Sequence, residues 1–296
     1  MATYWIDPTS GDDANNGTTK ALAVKTFSDV FGLVSDGDSI TVVDGTHTLS
    51  ASGGGICTTQ ITIESEGGTP KNCIIDGDST YWFTIHLNAD ITVKNIQFKD
   101  LADKASIEGR AGVIFADVSN ITITATNLWF IGVDVSGTNE SGCFYFTGAS
   151  GSTLSAIGCV FKNLDSDYYN QGAIVARGCS VVFIVANCVS VQSTSVSNLR
   201  FIVAAYLSSI SVIMKNSIFY TDIPDNATIL GEYAGTVVSE SFSYNCYHSA
   251  GAGSITLGSF TDGGNNITTD PKILDIANLD FRLRQDSPCL DNGTII

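Results

Sequence analysis

Basic side chains are scarce in this sequence: 14 Lys and Arg stand against 30 Asp and Glu, for a net charge of −16 over 296 residues. A nucleic-acid groove needs a basic stripe to neutralise phosphates, so that class of partner is not expected. Long-range attraction to anionic membranes or acidic polymers is disfavoured for the same reason. Apolar runs are short as well, none approaching the ~18 residues of a membrane helix, so no membrane insertion is expected. The opening Met-Ala-Thr-Tyr-Trp-Ile-Asp has neither the basic segment nor the apolar core of a secretory signal, and the expectation is a chain made and folded in a cytosol. None of the eight cysteines forms a Cys-x-x-Cys pair, which sets zinc aside, and a cytosolic origin favours free thiols over disulfides. Charged residues reach only 15%, below the usual quarter, while hydrophobic residues make up 44%. That balance suits a large aliphatic interior wrapped in Ser, Thr, Asn and Gly. No Pro/Gly/Ser linker divides the middle, so one domain is expected.

What the sequence does contain is a repeat. Six segments begin at Asn95 (NIQF), Asn127 (NLWF), Gly158 (GCVF), Asn187 (NCVS), Asn216 (NSIF) and Asn245 (NCYH), at steps of 32, 31, 29, 29 and 29. A second row keeps the same beat at Gly112, Gly142, Gly172, Arg200 and Thr228. Each period holds two or three short strand-like runs and no helical periodicity, which describes a coil whose strands pair in parallel with their equivalents one turn away. Leucine-rich repeats share the period and the Asn ladder, but this sequence has few Leu in that register and no helix-forming convex side, and propeller blades run longer. Parallel crossovers are overwhelmingly right-handed.

Alternation within the segment sends places two and four inward, giving a column of Phe98, Phe130, Phe161 and Phe219 broken by Ser190 and His248. Cys159, Cys188 and Cys246 at place two then read as small core residues, although a Cys159–Cys188 bridge between coils is geometrically feasible. The place-one Asn residues suggest an amide ladder. Place three points outward yet carries Trp129, Val160, Val189, Ile218 and Tyr247 after Gln97. Stacked at ~4.8 Å per turn, these make an apolar stripe that needs a cover, either a long loop of the same chain or a symmetric neighbour, and a homotrimer is the expected form of the latter.

Both ends carry specific patterns. Residues 1–39 read as an N-terminal cap with a strand at Thr3–Ile6, a polar loop and an amphipathic helix over Thr26–Val34; residues 40–265 read as coils and 266–296 as a C-terminal cap. The opening YWIDPTSGDDANNGTTKALAVKTFSDV resembles the first segment of right-handed parallel β-helix proteins of the pectin-lyase-like superfamily, with an aromatic strand, a GxDxxxGT loop and a KT(F/I) capping helix. The closing ITTDPKILDIANLDFRLRQDSPCLDNGT is similar to their terminal DPxF, FRL and SPxxDxG elements. The resemblance spans essentially the whole chain. It implies an all-β, single-stranded right-handed parallel β-helix with a short N-terminal capping helix, and leaves activity open, since the superfamily includes lyases, hydrolases, epimerases and inert virion proteins.

The candidate chemistry is sparse. Asp134 and Asp165 share one place in successive coils, with Asp167, Tyr168 and Tyr169 beside them and Lys162 in reach; two carboxyls ~5 Å or ~6.5–9.5 Å apart would suit retaining or inverting glycosidic hydrolysis. Acidic loop residues on any such surface are more commonly just solvated. Central Arg110, Arg177 and Arg200 lack the patterns of pectate lyases. The loop Asp7–Asn16 could hold Ca²⁺ but lacks EF-hand spacing, and Asx turns are the simpler reading; no other metal or cofactor is indicated. The first functional reading is therefore a non-enzymatic virion structural or surface protein, a phage capsid decoration or tail-associated β-helix that self-associates and contacts other virion proteins or cell-surface glycan. The alternatives are a polysaccharide lyase or glycoside hydrolase using Asp134, Asp165 and Asp167, and a non-catalytic carbohydrate-binding adhesin.

Overall fold

The computed structural model describes residues 1–102, 111–135, 141–164, 171–193, 200–222 and 226–293. The chain is an all-β parallel β-solenoid with three long sheets. The first sheet has nine strands, from Thr3–Ile6 to Thr236–Ser243; the second has eight, from Gly53–Cys57 to Ile255–Gly258; the third has eight, from Gly45–Thr48 to Cys246–Ser249. One coil runs from Ile91–Lys94 in the first sheet to Gln97–Lys99 in the third, then Ala111–Ala116 in the second, and back to Thr122–Thr126 in the first. Each strand pairs in parallel with its equivalents above and below, as in Trp129↔Gln97 and Trp129↔Val160.

The corner between the first and third sheets explains the repeated Asn. Asn95, Asn127, Gly158, Asn187 and Asn216 all have positive φ, between 52° and 65°. Asn and Gly are the residues that enter this left-handed region at least cost. One rung of the expected ladder is present, Asn127 Nδ2 donating to Asn95 Oδ1 at 2.8 Å. The corner also turns carbonyls inward, and place two satisfies them. The Cys188 thiol donates to Ala156 O and Ala186 O, and Ser217 Oγ donates to Lys215 O. Cysteine is thus both a small core residue and a weak donor at this position.

The aromatic column forms as the spacing predicts. Phe98 stacks on Phe130 at 5.4 Å and Phe130 on Phe161 at 5.3 Å, with interplanar angles of 19° and 8°. Ser190 leaves a gap that Phe201 of the second sheet fills, its ring 5.0 Å from both Phe161 and Phe219. Burying one such ring contributes about 1.5–3 kcal/mol, with roughly 0.5–1.5 kcal/mol more from the ring pairs.

In the last coil the register differs from the spacing. Cys246 pairs with Ile218, Tyr247 with Phe219 and His248 with Tyr220, so Tyr247 continues the inner column instead of the outer stripe. Tyr244, at φ 60°, takes the corner position. The coil-to-coil offset here is 28 residues, already so where Arg200 pairs with Thr228 and again where Lys215 pairs with Ser243, one short of the 29 that separate Asn216 from Asn245. Asn245 is then buried, accepting from Ser217 N and donating to Met214 O and Ser243 O.

The N-terminal helix is Phe27–Leu33, with Thr26 capping it by accepting from Asp29 N. Phe27 meets Phe83 edge-on at 4.9 Å and closes the column. Gly55 permits the helix to sit this close: a Cβ there would lie 2.8 Å from the Phe31 ring. At the other end, residues 266–293 run back along the outside of the third sheet as a strap containing the antiparallel pair Ile273–Asp275 and Asp280–Leu283. Phe281 packs edge-on against Trp129 at 5.5 Å, Lys162 Nζ donates to Ile276 O at 2.9 Å, and His248 Nδ1 bonds Thr268 O at 3.0 Å. Val160 and Ile218 are 4% and 9% exposed. Of the two covers the stripe could have had, the structure shows the one supplied by the same chain.

Candidate functional site

The sequence candidates separate once placed. Asp165, Asp167, Tyr168 and Tyr169 lie outside the described residues. Asp134 is half-buried between buried Val133 and Val135, its amide bonded to Leu101 O at 2.9 Å. Lys162, beneath the strap, has its ammonium pKa lowered by desolvation. Its bond to Ile276 O makes it a fastening of the strap. Of the outward stripe, Trp129 touches the strap directly, Lys71 Nζ lies 5.6 Å from its ring, and Ile218 shares a cavity with Leu283 and Cys289.

The polar loop Asp7–Asn16 folds as a set of side-chain turns. Asp7 accepts from Thr9 N and Ser10 N, Asp12 from Ala14 N, and Asp13 from Lys25 N and Thr26 N. Among the described residues no three His, Cys, Asp or Glu side chains gather as a metal site. Asp76 and Asp100 both reach Lys99 Nζ at 2.8 Å. The two carboxylates raise the Lys99 pKa, which keeps it an ammonium and unsuits it to act as a base.

The second sheet carries a different surface, which the sequence reading missed. Register places Ile56, His86, Phe115, Tyr145, Val175 and Val203 in one outward column. The His86 and Phe115 rings are 4.8 Å apart, and Phe115 stacks on Tyr145 at 5.7 Å and 15°. Tyr145, Val175, Val203 and Ala205 form a fully buried apolar cluster separate from the main core, with the half-buried Phe115 packed against it. The column opens toward the N-terminal coils, where Ile56 is 56% exposed.

Beside the column runs a polar row at the strand ends. Asp117 Oδ1 lies 2.7 Å from His86 Nε2. Thr147 pairs with Arg177, whose guanidinium carbon sits 5.1 Å from the Tyr206 ring centroid. The His86 and Asp117 side chains are 27% and 40% exposed, so solvent and ligand reach both. A neutral imidazole that donates from Nε2 to a carboxylate carries its lone pair on Nδ1, an orientation suited to accepting a proton or a hydroxyl hydrogen. The signal that could have revealed this site is the second repeat row: reading three places beyond each of Gly112, Gly142 and Gly172 gives Phe115, Tyr145 and Val175.

A second concavity of about 430 Å³ opens where the capping helix meets the corner at residues 48–54, lined by Thr26, Phe27, Ser50, Ser52, Ile75 and Phe83 among others. Its charged lining residues are Lys25 and Asp29, and the Asp29 carboxylate accepts from the Thr26 hydroxyl at the helix cap.

No family model matches the chain, and the search of curated proteins found no match. Among solved structures, the chain is similar to pectate lyase Pel9A at 13% identity and a TM-score of 0.38, over 99% of this chain and 92% of that one. It is similar to a rhamnogalacturonan lyase at 14% identity and a TM-score of 0.34, over 94% and 92%. It is similar to the GH136 lacto-N-biosidase of Eubacterium ramulus at 10% identity and a TM-score of 0.30, over 90% and 68%. At these values the likeness carries no argument about activity, and function has to be argued from the chain's own residues.

Proposed function

We propose that the protein is a non-enzymatic surface solenoid that binds a glycan along the outer face of its second sheet and serves as a structural or decoration component of a virion. The observation that carries the glycan half is the ladder of Ile56, His86 and Phe115, backed by the buried Tyr145 ring and flanked by Asp117 and Arg177. Pyranose rings stack their C–H faces on aromatic side chains, while a few fixed polar groups set orientation. Asp117 accepts from sugar hydroxyls, and Arg177 donates to hydroxyls or to a carboxylate on an acidic sugar. Coils rise by ~4.8 Å, comparable with one hexose unit, so a chain parallel to the axis meets equivalent positions at successive coils.

Titration calorimetry against neutral and uronic-acid polysaccharides tests this. Saturable binding that weakens roughly tenfold in Phe115→Ala supports the reading. The same affinity in wild type and Phe115→Ala overturns it.

Support for the virion half is architectural. All eight cysteines are free thiols, seven of them buried, which suits a rigid fold completed in a reducing cytosol. Immunogold labelling on purified particles is the expected result, and label confined to cell debris counts against it. The homotrimer loses the support of the apolar stripe, since the strap covers it; native mass measurement decides the assembly.

The second reading, a lyase or hydrolase, rests on the His86–Asp117 pair as an oriented base. Release of unsaturated or reducing ends that His86→Gln abolishes, with binding retained, would favour catalysis over binding alone.

A further inference from the structure

The last coil and the strap meet at two cysteines. Cys246 opens the final strand of the third sheet, 3% exposed, its thiol donating to Thr269 O at 3.4 Å. Cys289 is only half-buried and is held by its amide to Ser287 Oγ at 3.2 Å, which itself donates to Pro271 O. Both cysteines line one cavity of about 90 Å³ with Asn216, Ile218, Leu283 and Asn292.

We propose that Cys246 and Cys289 are a redox latch, forming a disulfide that fastens the strap to the last coil when the protein meets a small-molecule disulfide such as oxidised glutathione. The pair is asymmetric in the way thiol exchange requires. The interaction between the two side chains lowers the Cys289 pKa and, with burial, raises that of Cys246, so the accessible sulfur is the nucleophile. The Cys289 thiolate attacks one sulfur of oxidised glutathione; a protein–glutathione bond forms, the glutathione S–S bond breaks, and one glutathione thiolate leaves. Cys246 then releases its proton to solvent and attacks Cys289 Sγ, expelling the second glutathione. Two protein thiols are oxidised and one glutathione disulfide is reduced to two thiols.

Cys159 and Cys188 are an internal control. They occupy the same place in adjacent coils, one residue before the paired Val160 and Val189, but they are 0% and 1% exposed, where no oxidant reaches them in the folded protein. The latch would matter on leaving a reducing cytosol, because it closes the chain around the segment that covers Trp129 and Ile218.

The experiment treats the native protein with oxidised glutathione, alkylates it and maps the peptides by mass. The expected result is loss of two alkylatable thiols, a cross-linked peptide pair containing Cys246 and Cys289, and a Tm raised by roughly 5–10 °C and restored by dithiothreitol. Cys289→Ser abolishes all three, while Cys246→Ala stops at a stable glutathione adduct on Cys289. An unchanged thiol count, a cross-link elsewhere, or a wild-type protein that stops at the adduct overturns the proposal.

Discussion

The outer faces of the third and second sheets both carry apolar columns, yet they end differently. On the third sheet Trp129, Val160 and Ile218 are covered by the chain's own strap, with Phe281 and Ile276 as contacts. On the second sheet Tyr145, Val175 and Val203 are also fully buried, and the column reaches solvent only toward the N-terminal coils, at Phe115, at His86 beside Asp117, and at Ile56. An unbroken apolar stripe is best satisfied within the molecule, because water gains most by its removal. A mixed aromatic and polar column gains less from burial and retains groups that orient a ligand.

The comparison breaks most visibly if the strap is removed. A chain ending at Gly264 exposes Trp129, Val160, Val189 and Ile218 together, and it should self-associate or precipitate at concentrations where the full chain sediments as one species; sedimentation velocity checks this. Next in size is the interior: Phe130→Ala should lower stability by about 3–5 kcal/mol, read from urea unfolding, because the ring is fully buried between two stacked neighbours. On the strap, Phe281→Ala should cost less, about 1–2 kcal/mol, with a shift of Trp129 emission, since Phe281 is itself only half-buried. Phe115→Ala on the second sheet should fall below that in stability while changing glycan affinity. If Phe281→Ala proved as costly as Phe130→Ala, the strap would belong to the core and the two faces would not differ in kind.

Acid sharpens the same contrast. Arg282 holds the Asp280 carboxyl down at about 2, Lys272 lowers Asp286, and bonds from Asn278 lower Asp275, all on the strap. A carboxylate whose folded pKa lies below its unfolded value of about 4 adds stability above that value and loses it as pH falls through the folded one. The strap should therefore loosen between about pH 4 and pH 2, with Trp129 emission changing before the far-ultraviolet circular dichroism of the coils. These groups are exposed, so the effect is small and should shrink further in high salt. Simultaneous loss of both signals would show that strap and coils melt as one unit.

Much of the fold was legible because a solenoid converts sequence period into vertical contact. Asn95, Asn127 and Phe98, Phe130, Phe161 became neighbours as spacing implied. Spacing failed in the last coil, where the pairing offset is 28 residues instead of 29 and Tyr247 therefore faces inward. No periodic signal marks that one-residue difference, since Asn245 still imitates the repeat letter while Tyr244 takes the left-handed corner. The glycan candidate was missed for a related reason. His86 precedes the clear repeats, and its partner Asp117 lies 31 positions away, so neither announces the other in the linear chain.

By itself the sequence determined the coil, the inward column and the presence of caps, because strand alternation and left-handed corners are local properties repeated once per turn. Only the tertiary structure decided where the strap lies, which cysteines share a cavity and which imidazole finds a carboxylate. Those outcomes depend on where a distant segment docks, and docking is set by the complementarity of surfaces that exist only after the coils have stacked.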